Sequence, residues 1–107
     1  MKMKTALTIA GSDSSGGAGI QADIKTMEAL GVYAETVITA LTAQNTQGVQ
    51  GVMPVESSFI SQQIDSVFSD IQPHAVKIGM IPNADAVHAV ACGLRAWEAL
   101  HVVLDPV

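Results

Sequence analysis

The side chains best suited to chemistry fall in four places. They are the glycine-rich run Gly11 to Gly19, the nearby acid Asp23, the amide Gln44, and Asp105 at the close of an apolar run. Four glycines in the nine residues Gly11–Gly19 exceed what one turn needs. The run is therefore expected to offer free backbone N–H groups at a helix N-terminus, ready for an anion or a polar ligand. The plainer alternative is a tight turn that lets the next helix approach a sheet. A P-loop is rejected: Gly11 and Gly16 have its spacing, but Gly17 and Ala18 stand where lysine and a hydroxyl belong. The dinucleotide pattern fits Gly17, Gly19 and Ala22, yet Gln44 and Asn45 replace the ribose-binding acid expected after the second strand.

The remaining candidates each have a structural and a chemical reading. Asp23 either complements a helix dipole or faces a pocket as an acceptor. Gln44 presents a donor beside an acceptor, the match for an amino group beside a ring nitrogen, as in an aminopyrimidine. Met80 either fills the core or lies against a flat ring. Asp105 either caps a following helix or holds hydrated Mg²⁺. Cys92, among alanines and valines, reads as a core residue. His74, His88 and His101 share no spacing that suggests a metal site.

These residues need elements to hold them. Thr5 to Ala10 is short, β-branched and bounded by glycine, and predicts strand one. Ile20, Ile24, Met27 and Leu30 recur at helical spacing before Gly31, and predict helix one. Tyr33 to Leu41 predicts strand two. Thr42 to Gly51, polar and punctuated by glycine, predicts a long loop. Ile60, Ile64, Val67, Phe68 and Ile71 mark helix two, from about Ser57 to Asp70. Ala75 to Gly79 predicts strand three. Asn83 is expected to cap helix three, striped by Val87, Val90, Ala91, Leu94 and Trp97. His101 to Asp105 predicts strand four. Strands alternating with single helices imply right-handed crossovers and a parallel sheet, so the fold class is α/β. Ligands then belong beyond the carboxyl ends of the strands, where Gly11, Gln44, Met80 and Asp105 all fall. Val102, Val103 and Leu104 are apolar on both faces, which suits a central strand. The expectation is an incomplete unit or an edge covered by another chain.

Composition sets the outer limits. The 107 residues are 49% hydrophobic and 4% aromatic, enough for one aliphatic core. A net charge of −5 leaves no basic patch for nucleic acid or for an anionic membrane surface. A single cysteine excludes an internal disulfide, and no apolar run is long enough to span a bilayer. A soluble cytoplasmic protein is expected.

Together the segments Ala10–Thr26 (AGSDSSGGAGIQADIKT), Thr39–Thr46, Lys77–Met80 and Val103–Val107 resemble, in order, the bacterial hydroxymethylpyrimidine/phosphomethylpyrimidine kinases of thiamine biosynthesis. That subgroup of the ribokinase-like fold also contains pyridoxal kinases. The resemblance implies a three-layer α/β/α fold with strand order beginning 2-1-3-4. Residues 1–107 would then be the N-terminal, substrate-binding portion of one kinase domain. It implies MgATP as phosphoryl donor and 4-amino-5-hydroxymethyl-2-methylpyrimidine and its monophosphate as substrates. It places the pyrimidine contacts on Gly11, Asp23, Gln44, Met80 and Val107, and Asp105 near the metal and phosphates. It also implies a homo-oligomer once the chain is complete. Family chains are more than twice as long. Their ATP-binding residues, anion-hole glycines and catalytic cysteine have no counterpart here, and Cys92 is not that cysteine. An inactive pyrimidine-binding fragment is therefore the alternative to an enzyme.

Overall fold

The computed structural model describes residues 3–105. Its elements in chain order are β1 (Thr5–Ser12), α1 (Gly19–Ala29), β2 (Tyr33–Asn45), β3 (Gly48–Pro54), α2 (Ser57–Phe68), β4 (Ala75–Ile78), α3 (Ala84–Ala96) and β5 (Val102–Leu104). They form one sheet ordered β3-β2-β1-β4-β5. Strand β1 pairs in parallel with β2 and β4, and β4 with β5, while β3 runs antiparallel to β2. The four strands expected from the sequence are present in the expected order, as β2-β1-β4-β5.

Side-chain alternation along β1 divides the layers. Leu7 and Ile9 are fully buried in a cluster with Val37, Ile60, Ile64 and Val90, so α2 and α3 cover that face. Thr8 points the other way and donates to Asp23 of α1, which covers the opposite face. Helices α2 and α3 approach closely at Gly93, where an added Cβ would press on the Ile64 side chain. Phe68 and Trp97 stack beside that crossing with ring centroids 5.9 Å apart. The Trp97 Nε1–H donates to Asp65 at 2.9 Å.

Several expectations change. The stretch Thr42 to Gly51 is not a loop but the outer part of β2, the turn after Asn45, and most of β3. Gly48 takes φ +148° at the start of β3, and Gly51 pairs with Ala43 inside the ladder. Both glycines serve a hairpin rather than a break in structure. The ladder shifts register between Ala43 and Gln44, with Gln50 the extra residue, so that Val49 stands opposite Gln44. The sheet is thus mixed, not wholly parallel. The stripe of α3 is rotated: Ala86 and Ala89 are buried with Val90 and Leu94, whereas Val87 and Ala91 are exposed. Cys92 is exposed as well, its Sγ 3.4 Å from His88 Nε2. It is not a core residue, because it lies on the α3 face turned away from α2. Asn83 does cap α3, accepting from the Ala86 N–H at 2.9 Å.

Both edges of the sheet carry exposed apolar side chains, Val52 and Met53 on β3 and Val103 and Leu104 on β5. The part of β2 that β3 leaves uncovered is paired by a side chain instead. The Gln63 amide accepts from Ile38 N at 2.8 Å and donates to Ile38 O at 3.0 Å, as a neighbouring strand would. No helix among the described residues is long and apolar enough to cross a membrane.

Candidate functional site

A cleft of about 410 Å³ opens beyond the carboxyl ends of β1, β2 and β4. This is where an open α/β sheet offers loops from several strands to one ligand. Gly11, Asp13, Gly19, Gln44, Lys77 and Met80 all line it.

The corner between β1 and α1 is built by close backbone approach. Gly19 has φ +58°, and a Cβ there would run into the Gly11 carbonyl. Only glycine satisfies both demands, and the start of α1 is thereby held against the end of β1. Gln21 fastens the same corner: its Oε1 accepts from Asp13 N and its Nε2 donates to Ser12 Oγ, both at 2.8 Å.

The turn itself is organised by Asp13, which is only 3% exposed. Its Oδ1 accepts from Ser15 N at 2.8 Å and Ser15 Oγ at 2.7 Å. Its Oδ2 accepts from Gly17 N at 3.0 Å and Ala18 N at 2.8 Å. The Asp13 carbonyl accepts from Gly16 N at 3.0 Å. These N–H groups are therefore not free, contrary to the expectation from the glycine count. A carboxylate of the chain already fills the cradle. The Ser15 hydroxyl above all holds the Asp13 carboxyl below its ordinary range; burial opposes this, and the three amides reinforce it.

The hairpin forms the facing wall. Ser14 Oγ donates to Gln44 O at 2.6 Å and accepts from Gln44 N at 2.8 Å, tying the glycine-rich turn to β2. Thr42 Oγ1 donates to Ser12 O at 2.7 Å and lies 3.2 Å from Gln44 Oε1. The Gln44 side chain thus meets the same cleft as the Gly11–Gly19 segment. On the floor, Gly11 leaves room for the Met80 methyl, which would sit 2.9 Å from a Cβ at that position. Thr39 Oγ1 donates to Met80 O at 2.7 Å and fixes the chain as it leaves β4.

Lys77 is the cation lining this cleft. Its Nζ lies over Gly79 and pairs with Asp23 Oδ2 at 2.9 Å. The same Asp23 oxygen accepts from Thr8 Oγ1 at 2.5 Å. Lys77 and Asp23 side chains are 24% and 18% exposed, so the pair is partly screened from water.

Gly11, Gln44 and Met80 are brought together as expected. Asp23 instead stands behind Lys77, beneath the cleft rather than among the residues that line it. Asp105 is exposed past the end of β5, its N–H donating to Ile78 O at 2.9 Å. No cluster of three or more His, Cys, Asp or Glu residues that could hold a metal occurs among the described residues. Val107 lies outside the described residues. Sequence reasoning missed Asp13 and Lys77. The available signals were an acid two and four residues before a serine and a glycine, and a charge inside the otherwise apolar Ala75–Ile78 strand.

Strand order, helix placement and the cleft at the carboxyl rim put the chain among ribokinase-like α/β proteins. The phosphomethylpyrimidine kinase crystal structure from Clostridium difficile 630 aligns with a TM-score of 0.93 at 50% identity, over 95% of this chain and 44% of that one. The pyridoxal kinase from Staphylococcus aureus, solved with AMP-PCP and pyridoxal, aligns at 0.87 and 34% identity, over 99% of this chain and 40% of that one. Residues 13–107 match the family model described as phosphomethylpyrimidine kinase, and the chain belongs to that family. The hydroxymethylpyrimidine/phosphomethylpyrimidine kinase of Escherichia coli K12 is 57% identical over all 107 residues. This chain spans about 40% of the length of that relative.

Proposed function

We propose that this chain forms the substrate side of an ATP-dependent kinase acting on 4-amino-5-hydroxymethyl-2-methylpyrimidine and its monophosphate, in thiamine diphosphate biosynthesis. The observation that carries the reading is the meeting of Gln44, Met80 and the glycine-rich turn in one cleft. The Gln44 amide would read the amino-pyrimidine edge, and the Met80 thioether would lie against the ring. The small side chains of Ala10 and Ala18 leave space for a flat heterocycle, and Gly11 lets Met80 lie close along the floor. Asp23 supports the site through Lys77. Val107 is assigned to the pyrimidine by family resemblance alone.

Phosphoryl transfer requires charge stabilisation and alignment of the γ-phosphoryl group. MgATP would supply that group, and the residues described here form no triphosphate cradle. Asp105 fits one part of the task. Mg²⁺ at such sites takes one or two carboxylates with waters and phosphate oxygens, and Asp105 offers one carboxylate at the rim. The isolated 107 residues are therefore expected to bind without turning over. Two measurements test the proposal. An ATP-dependent phosphorylation assay on the chain should give no product. Titration of labelled chain with the aminopyrimidine should shift the Gln44 side-chain amide and the Met80 methyl, weakly but saturably. The Gln44→Leu variant should lose at least about tenfold in affinity, the scale of a hydrogen-bonding site left unpaired. Shifts confined to other surfaces, or a Gln44→Leu chain that binds as well, would refute it.

A further inference from the structure

The cleft has two features that ordinarily attract anions, the turn amides at the head of α1 and the Lys77 ammonium. Each is already matched by a carboxylate of the chain itself. Asp13 takes the N–H groups of Ser15, Gly17 and Ala18 and the Ser15 hydroxyl. Asp23 takes Lys77. The turn has the glycines of a phosphate-binding loop, with its Ser15, Gly17 and Ala18 donors spent on Asp13. Gly16 sits at φ +84°, and a Cβ at Gly17 would come 3.8 Å from Asp13 Oδ2, so the backbone wraps its own acid.

We propose that Asp13 is a specificity-determining residue, an internal anion that fills the amide cradle so that this corner of the cleft takes an uncharged polar group and turns a phosphate away. The physical basis is double. A phosphate arriving at the turn finds the Ser15, Gly17 and Ala18 donors occupied, and it meets a like charge at short range in a partly enclosed site. A ring or a hydroxymethyl group meets neither penalty. Any phosphate on the ligand must then be directed to the opposite end of the cleft. The inference rests on the proposed function only in taking this cleft as the ligand site.

The test is a titration of the ¹⁵N-labelled chain with inorganic phosphate at neutral pH, with chloride of equal ionic strength as control. In the wild type, the amides of Ser15, Gly17 and Ala18 should not respond beyond the chloride control. In Asp13→Gly, which removes the acid and frees the donors, the same amides should shift saturably, with phosphate bound at least about tenfold more tightly than by wild type. Asp13→Asn, which keeps an acceptor and drops the charge, should fall between the two. Saturable phosphate shifts at these amides in the wild type would overturn the proposal. So would a variant with native amide dispersion that ignores phosphate. Should neither variant fold, the wild-type titration decides alone: silence at the three amides supports the role and saturation refutes it. The aminopyrimidine plays no part in this titration. Its failure to bind would remove the proposed function and leave the Asp13 result standing.

Discussion

Two glycines with the same backbone handedness make a matched experiment on how the cleft corner is built. Gly19 opens α1 with φ +58°, and Gly31 follows α1 with φ +74°. Alanine in left-handed backbone costs about 1–2 kcal/mol at either position. At Gly31 nothing lies within 4 Å of an added Cβ, so that penalty is the whole effect. At Gly19 the added methyl strikes the Gly11 carbonyl and comes within 3.5 Å of Asp13 N. Both neighbours are backbone and cannot rotate aside, so the β1–α1 junction must open. Overpacking of that kind adds about 1–3 kcal/mol. Gly19→Ala should therefore lose about 2–5 kcal/mol and Gly31→Ala about 1–2. Urea unfolding followed by circular dichroism measures both, with the midpoint moving and the slope constant. The amide spectrum adds a local readout: Gly19→Ala should move the signals of Gln44 and Met80, and Gly31→Ala should not. Equal losses from the two substitutions would show that the close approach of Gly19 to Gly11 is not what holds the corner, and the reasoning would fail.

Other perturbations have equally definite signs. Lys77→Met leaves Asp23 with the Thr8 hydroxyl alone and should cost about 1–3 kcal/mol in urea, part of which Asp23→Asn in the same chain restores by removing the stranded charge. Glu35 has one buried oxygen without a partner; burial first, and the charge of Asp70 second, raise its carboxyl above the ordinary 4.5. A raised carboxyl contributes stability below its unfolded value and loses it as pH rises through the folded one. Glu35→Gln should accordingly stabilise the chain at pH 7, with the advantage fading below pH 4.5. Asp13 has the opposite sign: lowered from 3.8, it contributes stability above that value and loses it as pH falls through the folded one. The deficit of Asp13→Asn against wild type should therefore be full at neutral pH and shrink in acid; a deficit independent of pH would count against the ionised carboxylate.

Periodicity made the interior legible. Leu7, Ile9, Ile60, Ile64 and Phe68 recur at strand and helix spacing and are buried where that spacing puts them. The rim of the sheet was legible for the same reason, since the ends of β1, β2 and β4 follow once the strands do. The hairpin was not. Its glycines and polar residues are those of a loop by composition, and β3 is exposed at all seven positions, so no alternation of burial marks it. Asp13 was missed because a run of glycines says that backbone donors are present and says nothing of whether they are spent. Lys77 was hidden by strand geometry. Its neighbours Val76 and Ile78 face the core, and only the placement of α1 on the other side supplies Asp23 as a partner.

The same contrast separates the buried part of the site from the exposed one. The floor stands on β1 and β4, the buried middle of the sheet, and its polar groups are tied: Asp13 by four hydrogen bonds, Lys77 by Asp23, Met80 by Thr39. The wall that carries Gln44 stands on the outer end of β2, paired with a strand that has exposed side chains on both faces. Its links to the floor are Ser14 to the Gln44 backbone and Thr42 to Ser12. A ligand bridging floor and wall would immobilise exposed side chains of the hairpin, at about 0.5–1.5 kcal/mol for each. On the proposed function, Gln44 and Met80 would carry the recognition, and the exposed wall would set how tightly a ligand is held. If the proposed function holds, a surface that packs on β3 would raise the affinity for the pyrimidine without touching it.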